Sequence, residues 1–150
     1  MADLPGAVLF ACNLNRIRSP MAEGLMRRRF GNQIYVDSCG LRVGDDDEVD
    51  PFALAVMDEI GVDLTGHRGK TFEDVEAHAF DLVISLSPEA HHRAVELARG
   101  RAVEIEYWPT LDPTLTVGAR VAIVDAYRAV RGDLEGRIRG RFAQARTFGG

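Results

Sequence analysis

The chain has 150 residues, of which 46% are hydrophobic, and a formal net charge of −5. These values predict a single domain over residues 1–150 with its own core, and the negative charge disfavours nucleic-acid binding. No apolar run approaches the roughly 20 residues of a membrane span, and no basic, apolar leader opens the chain, so we expect a cytoplasmic protein without membrane contact. Two cysteines do not suggest a disulfide framework.

Apolar runs and helical spacings alternate along the chain. We predict strands near residues 7–12, 33–38, 81–86 and 102–107, and helices near residues 19–30, 51–61, 72–78, 88–99 and 118–145. Apolar strands that alternate with helices favour the α/β class, here an open, doubly wound, flavodoxin-like parallel sheet of about four strands with helices on both faces. Such sheets bind ligands at the carboxyl ends of their strands, where the strand order reverses.

The first predicted strand ends on Cys12, and a helix with Pro20 in its first turn follows after a short loop. Backbone N–H groups of residues 13–17 would therefore point at one spot beside a helix N-terminus, where an anion such as phosphate is stabilised. The same positive field favours the thiolate form of Cys12, which is the nucleophilic form of a cysteine.

Two side chains after the loop add to this chemistry. Arg18 can grip two phosphate oxygens with its planar guanidinium, and the Ser19 hydroxyl can donate a hydrogen bond to the sulfur. Taken singly, Cys12 is typical of an inert core residue and Arg18 of a solvated charge. Their joint position at one strand-to-helix junction favours a nucleophilic site.

The spacing of Cys12, Arg18, Ser19 and Pro20 resembles the low-molecular-weight protein tyrosine phosphatase family, which is related to thiol-dependent arsenate reductases. The resemblance continues in order through residues 36–40, 49–53, 61–68, 81–84 and 112–113. It implies a cysteine-dependent phosphatase acting on a phosphorylated protein or a small phosphomonoester, without cofactor or metal. It also implies a phosphate-binding loop made of Asn13, Leu14, Asn15, Arg16, Ile17, Arg18 and Ser19.

Asp112 is the second candidate catalytic group. It precedes Pro113 in a loop after the fourth predicted strand, and turn chemistry alone explains an Asp-Pro pair. The resemblance implies instead that Asp112 first protonates the leaving oxygen and then activates water, a role that contributes about 10²–10⁴-fold in rate.

Three further residues match supporting positions of the family. Asn15 matches a loop position held at positive φ, which asparagine tolerates. Ser38 and His67 match residues that hydrogen-bond this asparagine and stiffen the loop. The remaining histidines show no paired metal-ligand spacing, so we predict no metal site.

Several departures from the family bear on the substrate. Leu14 stands where the family usually has a small residue, Arg16 adds a charge, and Ile17 replaces a cysteine that can protect the nucleophile. No aromatic residue follows the Asp-Pro pair, where Thr114 stands, and residues 41–50 contain none. Trp108 and Phe52 are the remaining candidates for an aromatic wall, and we expect residues 45–48 to form a solvated acidic loop.

Two alternatives stay open from the sequence. The arsenate reductases of this group carry two further cysteines in the region near residues 80–90, where this chain has none, so only Cys39 or an external thiol would complete such a relay. A non-catalytic phosphate-binding or phosphoprotein-binding module is the other alternative, although a pure binder has no need of the acid Asp112.

Overall fold

A computed structural model describes residues 4–143 of the chain. Its elements are β1 (Ala7–Cys12), α1 (Arg18–Phe30), β2 (Tyr35–Gly40), α2 (Pro51–Asp58), β3 (Leu82–Ser85), α3 (Pro88–Ala98), β4 (Glu104–Tyr107) and α4 (Arg120–Arg141). The four strands form one parallel sheet in the order β2-β1-β3-β4. The predicted α/β class and doubly wound topology are therefore confirmed, and the order reverses at β1.

The helices begin and end where local chemistry predicts. Asp50 caps α2 by accepting hydrogen bonds from the N–H groups of Phe52 and Ala53 at 2.8 and 3.2 Å, with Pro51 in the first turn. Gly31, at a φ of 55°, follows the last residue of α1.

One predicted helix is wrong and others differ at their ends. Residues 72–78 form turns that lead into a short 3₁₀ turn at Ala77–Ala79, because Glu76 adopts a left-handed conformation with a φ of 51°. Helix α2 stops at Asp58 rather than at residue 61, just before Gly61 with a φ of 80°. Residues 144 and 145, at the end of the last predicted helix, lie outside the described residues.

The sheet separates two apolar layers. Val8, Phe10 and Cys12 of β1 pack with α1, α2 and α4 on one face, whereas Leu9 and Ala11 pack on the other face with α3. Each fully buried Leu or Phe side chain contributes roughly 1.5–3 kcal/mol. This double layer fixes the carboxyl end of β1, and with it the position of Cys12. In the described part of the chain, no helix combines the length and apolarity needed to cross a membrane.

Candidate active site

The loop between β1 and α1 is built to hold an anion. Within residues 4–143, none of the backbone N–H groups of residues 14–17 donates to a protein acceptor. The loop leads directly into the N-terminus of α1 at Arg18. Free N–H groups at the positive end of a 13-residue helix favour a bound oxyanion.

The Cys12 sulfur lies against the hydroxyl of Ser19. Their Sγ and Oγ atoms are 2.9 Å apart, and both residues are buried. Asn15 Nδ2 donates to the same Ser19 oxygen at 2.8 Å, which leaves Ser19 one hydrogen to donate. Its acceptors are the sulfur and the Cys39 carbonyl oxygen at 3.2 Å, so a thiolate at Cys12 can take this hydrogen bond.

Asn15 is the centre of the network behind the loop. It is fully buried, has a φ of 57°, and donates from Nδ2 to Ser38 Oγ at 3.0 Å as well as to Ser19. Its Oδ1 accepts from the backbone N–H of Lys70 at 3.0 Å. Ser38 in turn donates to Glu23 Oε1 at 2.5 Å. Every polar atom of the Asn15 side chain is thereby satisfied inside the protein.

His67 holds Asn15 through the backbone carbonyl of Asn15. Its Nε2 lies 2.9 Å from the Asn15 carbonyl oxygen, an acceptor, so Nε2 carries the hydrogen. Burial lowers the pKa of His67 below its ordinary 6.5, with the bond to Asn15 opposing that shift. A neutral imidazole therefore holds the loop at neutral pH.

Arg18 is fixed from a distant part of the chain. Its side chain is only 8% exposed, and Nη1 donates to the Thr110 carbonyl oxygen at 2.9 Å. Thr110 lies between β4 and Asp112, so this bond ties the guanidinium to the loop that carries the candidate acid. The remaining guanidinium donors are available to an oxyanion.

Cys12, Arg18 and Asp112 line one cavity of about 240 Å³. The rest of its lining is Asn13, Leu14, Arg16, Ile17, Arg42 and Thr114. Asp112 Oδ1 accepts from the backbone N–H and the hydroxyl of Thr114, at 2.9 and 2.6 Å. This leaves Oδ2 as the oxygen without a described protein partner, suited to exchanging a proton with a ligand.

Among the residues that the structure describes, no aromatic side chain lines this cavity, and the suggestion that Trp108 or Phe52 walls it is wrong. Trp108 is buried against Phe10 in the core, with ring centroids 6.0 Å apart. Phe52 packs on Tyr127 at 5.3 Å and lies under Arg120. Both rings serve the packing of helices and sheet.

Arg16 lines the cavity, but its side chain is held from outside. It donates from Nε to the Glu48 carbonyl oxygen at 2.9 Å and pairs with Asp46 at 3.3 Å. The side chains of residues 45–48 are exposed, which agrees with the expected acidic loop. Leu14 and Ile17 add short apolar walls.

The second cysteine cannot serve Cys12 directly. Cys39 pairs with Ala11 in the sheet and packs on the opposite face from Cys12. Burial raises the pKa of the Cys39 thiol well above its ordinary value, with the charge of Cys12 adding to the shift. A relay from Cys12 to Cys39 is excluded in this fold without a rearrangement of the sheet.

A larger cavity, of about 760 Å³, lies behind the loop and includes Glu23, His67 and Lys70 in its lining. Its carboxylates already have partners, since Glu23 pairs with Arg27 at 2.8 Å, Asp37 pairs with Lys70 at 3.0 Å, and Asp63 accepts from the Thr65 N–H at 2.9 Å. Neither Cys12 nor Asp112 is among its lining residues, so the candidate catalytic residues belong to the smaller cavity. Within residues 4–143, no cluster of three or more metal-ligating side chains occurs.

Five residues at the site were not predicted. Three of them form hydrogen bonds to predicted site residues: Glu23 to Ser38, Lys70 to Asn15 and Thr110 to Arg18. The other two, Arg42 and Thr114, line the cavity. Glu23 lies in the loop-to-helix motif four residues after Ser19, which is one helical turn and was a usable signal. Lys70 and Thr110 contribute backbone groups, which carry no sequence signal.

The family follows from these features and from comparison with known proteins. Residues 7–142 match the family model described as "Low molecular weight phosphotyrosine protein phosphatase". The chain belongs to this family, whose members include enzymes named as phosphatases and as arsenate reductases.

The relatives divide between these two names. A glutaredoxin arsenate reductase of Synechocystis sp. is 31% identical over 137 residues, covering 91% of this chain and 96% of that protein. A structure titled an arsenate reductase in the phosphate binding state is 30% identical, with a TM-score of 0.72 and coverage of 93% of this chain and 98% of that one. The Erwinia amylovora tyrosine phosphatase amsI shares the fold, with a TM-score of 0.74 at 21% identity over 89% of this chain and 88% of that one.

Proposed function

We propose that this protein is a cysteine-dependent phosphatase that hydrolyses phosphomonoesters through a cysteinyl-phosphate intermediate. The observation that carries the proposal is that the side chains of Cys12, Arg18 and Asp112 line one cavity. A nucleophile, an anion clamp and an acid are the groups that such a reaction needs.

In the first step, the Cys12 thiolate attacks phosphorus. A sulfur–phosphorus bond forms as the bond from phosphorus to the leaving oxygen breaks, and that oxygen takes a proton from Asp112. The N–H groups of residues 14–17 and the Arg18 guanidinium hold the other phosphate oxygens while their charge develops.

In the second step, water attacks phosphorus and the sulfur–phosphorus bond breaks. Asp112, now ionised, takes the proton from water, and the sulfur leaves as thiolate. Ser19 donates its hydrogen to that thiolate across the 2.9 Å contact, which stabilises the leaving sulfur.

Substrates of this proposed activity are a phosphorylated protein or a small phosphomonoester. Phosphotyrosine has weaker support than phosphoryl chemistry as such, because none of the described cavity residues offers an aromatic ring to stack on a phenol ring.

A second candidate is arsenate reduction with an external thiol. Arsenate has the shape and charge of phosphate, and the arsenate reductases among the relatives favour this alternative. The chain has two cysteines, and Cys39 is buried on the far face of the sheet, so the thiol that reduces the arsenic would have to come from another molecule.

The test is hydrolysis of para-nitrophenyl phosphate at mildly acidic pH with a chelator present. We expect Cys12→Ser to abolish turnover and Asp112→Asn to lower it by about 10²–10⁴-fold. Cys39→Ala and Asp58→Asn are matched controls that should keep activity, because Cys39 faces the other layer and Asp58 is exposed at the end of α2.

The competing activity is measured in parallel, with arsenate and a supply of glutathione and glutaredoxin. Chelator-resistant hydrolysis that Cys12→Ser removes supports the phosphatase. Arsenite formation without phosphomonoester hydrolysis would show that the protein is an arsenate reductase and not a phosphatase. Hydrolysis by the Cys12→Ser variant would contradict the cysteinyl-phosphate mechanism.

A further inference from the structure

Arg42 lies at the rim of the candidate active site, and we propose that it selects substrates that carry a second negatively charged group beside the phosphoryl group. The inference rests on the proposed function of the same cavity and names the class of substrate: a phosphomonoester whose leaving group bears a carboxylate or a further phosphate.

The backbone of Arg42 is fastened to the phosphate-binding loop. Leu41 N–H donates to the Asn13 carbonyl oxygen at 2.8 Å, and Arg42 N–H donates to the same oxygen at 3.2 Å. Gly40 permits this close approach, because a Cβ there would lie 2.8 Å from the Asn13 oxygen and 2.9 Å from the Asn15 nitrogen. The main chain at Arg42 is thus fixed beside the Cys12 loop.

The side chain of Arg42, in contrast, has no partner of its own. Among residues 4–143, it makes no hydrogen bond or ion pair, and it is exposed. The other two guanidinium groups of the cavity are engaged, Arg18 by the Thr110 carbonyl and Arg16 by Asp46 and Glu48. Among the described lining residues, Arg42 is therefore the cation that remains free for a ligand once the phosphoryl group occupies the loop.

The rest of the rim favours a negative ligand over an aromatic one. Within residues 4–143, its only carboxylate is Asp112, whose Oδ1 accepts a hydrogen bond from Thr114. None of the acidic side chains of residues 45–48 lines the cavity, and Asp46 is paired with Arg16. A dianionic phosphoryl group bound by Arg18 and the loop leaves the charge of Arg42 uncompensated, so a second anion within its reach gains a charge-assisted hydrogen bond.

Binding of two non-hydrolysable phosphonates tests this directly by calorimetry. 3-Phosphonopropionate carries a phosphonate and a carboxylate, whereas butylphosphonate has a chain of similar length with no second charge. We expect the wild-type protein to bind 3-phosphonopropionate about fivefold more tightly, the upper range for an exposed ion pair. Arg42→Gln should lose this preference while still binding butylphosphonate.

Arg101→Gln is the matched control. Arg101 is exposed just after α3 and before β4, near the amino ends of the parallel strands, whereas Cys12 lies at their carboxyl ends. The Arg101→Gln substitution removes the same charge from the protein as Arg42→Gln. If the preference for 3-phosphonopropionate is retained in Arg101→Gln and lost in Arg42→Gln, the effect comes from the rim and not from net charge.

Two phosphopeptides distinguish the possible sources of the second anion. They differ only in an Asp or Asn next to the phosphorylated residue, and their kcat/KM ratio is measured in wild type and Arg42→Gln. A ratio above one that Arg42→Gln removes points to acidic protein substrates. A ratio of one, together with the phosphonate preference, points to small-molecule substrates.

The proposal is overturned if the wild-type protein binds the two phosphonates equally, if neither binds, or if Arg42→Gln keeps the preference. These readings are independent of turnover. A preference that depends on Arg42 in a protein without Cys12-dependent hydrolysis would overturn the phosphatase and leave the second-anion assignment in place for another oxyanion reaction.

Discussion

The two sides of the loop between β1 and α1 are built in opposite ways. Behind it, Asn15, Ser19 and Ser38 are fully buried, and each is hydrogen-bonded inside the protein. At the cavity mouth, the Arg42 side chain has no partner among the described residues, and Leu111, next to Asp112, is 82% exposed. The difference indicates that the position of Cys12 is fixed by a closed network of hydrogen bonds, while the residues at the cavity mouth can differ without cost to the fold.

The physical reason is the cost of an unmade hydrogen bond. A buried donor or acceptor that loses its partner costs about 1–3 kcal/mol, whereas an exposed one is satisfied by water. A change behind the loop should therefore reduce stability and activity together, and a change at the mouth should affect activity alone.

The largest expected effect is at Asn15. We expect Asn15→Ala to lower the free energy of unfolding by roughly 2–4 kcal/mol, because Ser19 and Ser38 lose a buried donor and alanine is strained at positive φ. Asn15→Gly removes the same bonds but tolerates the backbone, so its loss should be smaller by about 1 kcal/mol. Urea unfolding measures both, and turnover should fall in both.

Asn32→Ala is the control for this pair, since Asn32 is exposed in the turn after α1 and should change neither property. Equal stability of Asn15→Ala and Asn15→Gly would show that the left-handed conformation is not a constraint at this position. Normal stability with normal turnover would mean that the network does not fasten the loop.

A smaller effect is expected at the mouth, from Thr114. Thr114→Val removes the hydroxyl that holds Asp112 Oδ1 at 2.6 Å. Turnover of phenyl phosphate should fall by about 3- to 10-fold, the value of one hydrogen bond, while para-nitrophenyl phosphate is less affected because its leaving group needs less protonation. Thr114→Ser keeps the hydroxyl and should restore the rate, and stability should not change.

Thr116→Val, in the same loop, serves as the control, because the Thr116 hydroxyl has no partner in the described residues. An equal slowing of both aryl phosphates in Thr114→Val would argue against a role in placing the acid. A parallel loss of stability would mean that the mouth is as tightly coupled to the fold as the network behind the loop.

This contrast also explains how far the sequence alone could go. The β1–loop–α1 unit was predictable because it is local: an apolar strand, Cys12, and Pro20 in the first helical turn occur within a few residues. The positive φ of Asn15 was predicted from the family resemblance, and its residue type tolerates that conformation. The contacts from Lys70 and Thr110 were not, because they use backbone groups brought in by tertiary folding.

Trp108 shows the opposite limit. A large aromatic side chain near a strand end is equally suited to a ligand wall and to a core, and only packing decides between them. Here the Trp108 ring packs on Phe10 of β1 in the core, so the ring is buried and does not line the cavity. The alternation of side chains along β1 predicts the face of the sheet on which Phe10 lies. It does not predict that Trp108 packs on that face.

The smallest expected effect is the pH dependence contributed by His67 behind the loop. Burial lowers the pKa of its folded form below the ordinary 6.5, while Glu23 and Asp37 raise it and Lys70 lowers it further. Between the two pKa values the unfolded chain binds a proton that the folded protein does not. The contribution to stability is therefore complete above pH 6.5 and is lost as pH falls toward the folded value.

Urea unfolding as a function of pH measures this contribution. We expect His67→Gln to flatten the slope of the unfolding free energy against pH below pH 6.5. His92→Gln should keep that slope, because the His92 side chain is exposed on α3. An unchanged slope in His67→Gln would show that the neutral imidazole of His67 does not hold Asn15 in place. If the slope does flatten, acid loosens the support behind Cys12 through the contact of His67 with the Asn15 carbonyl oxygen.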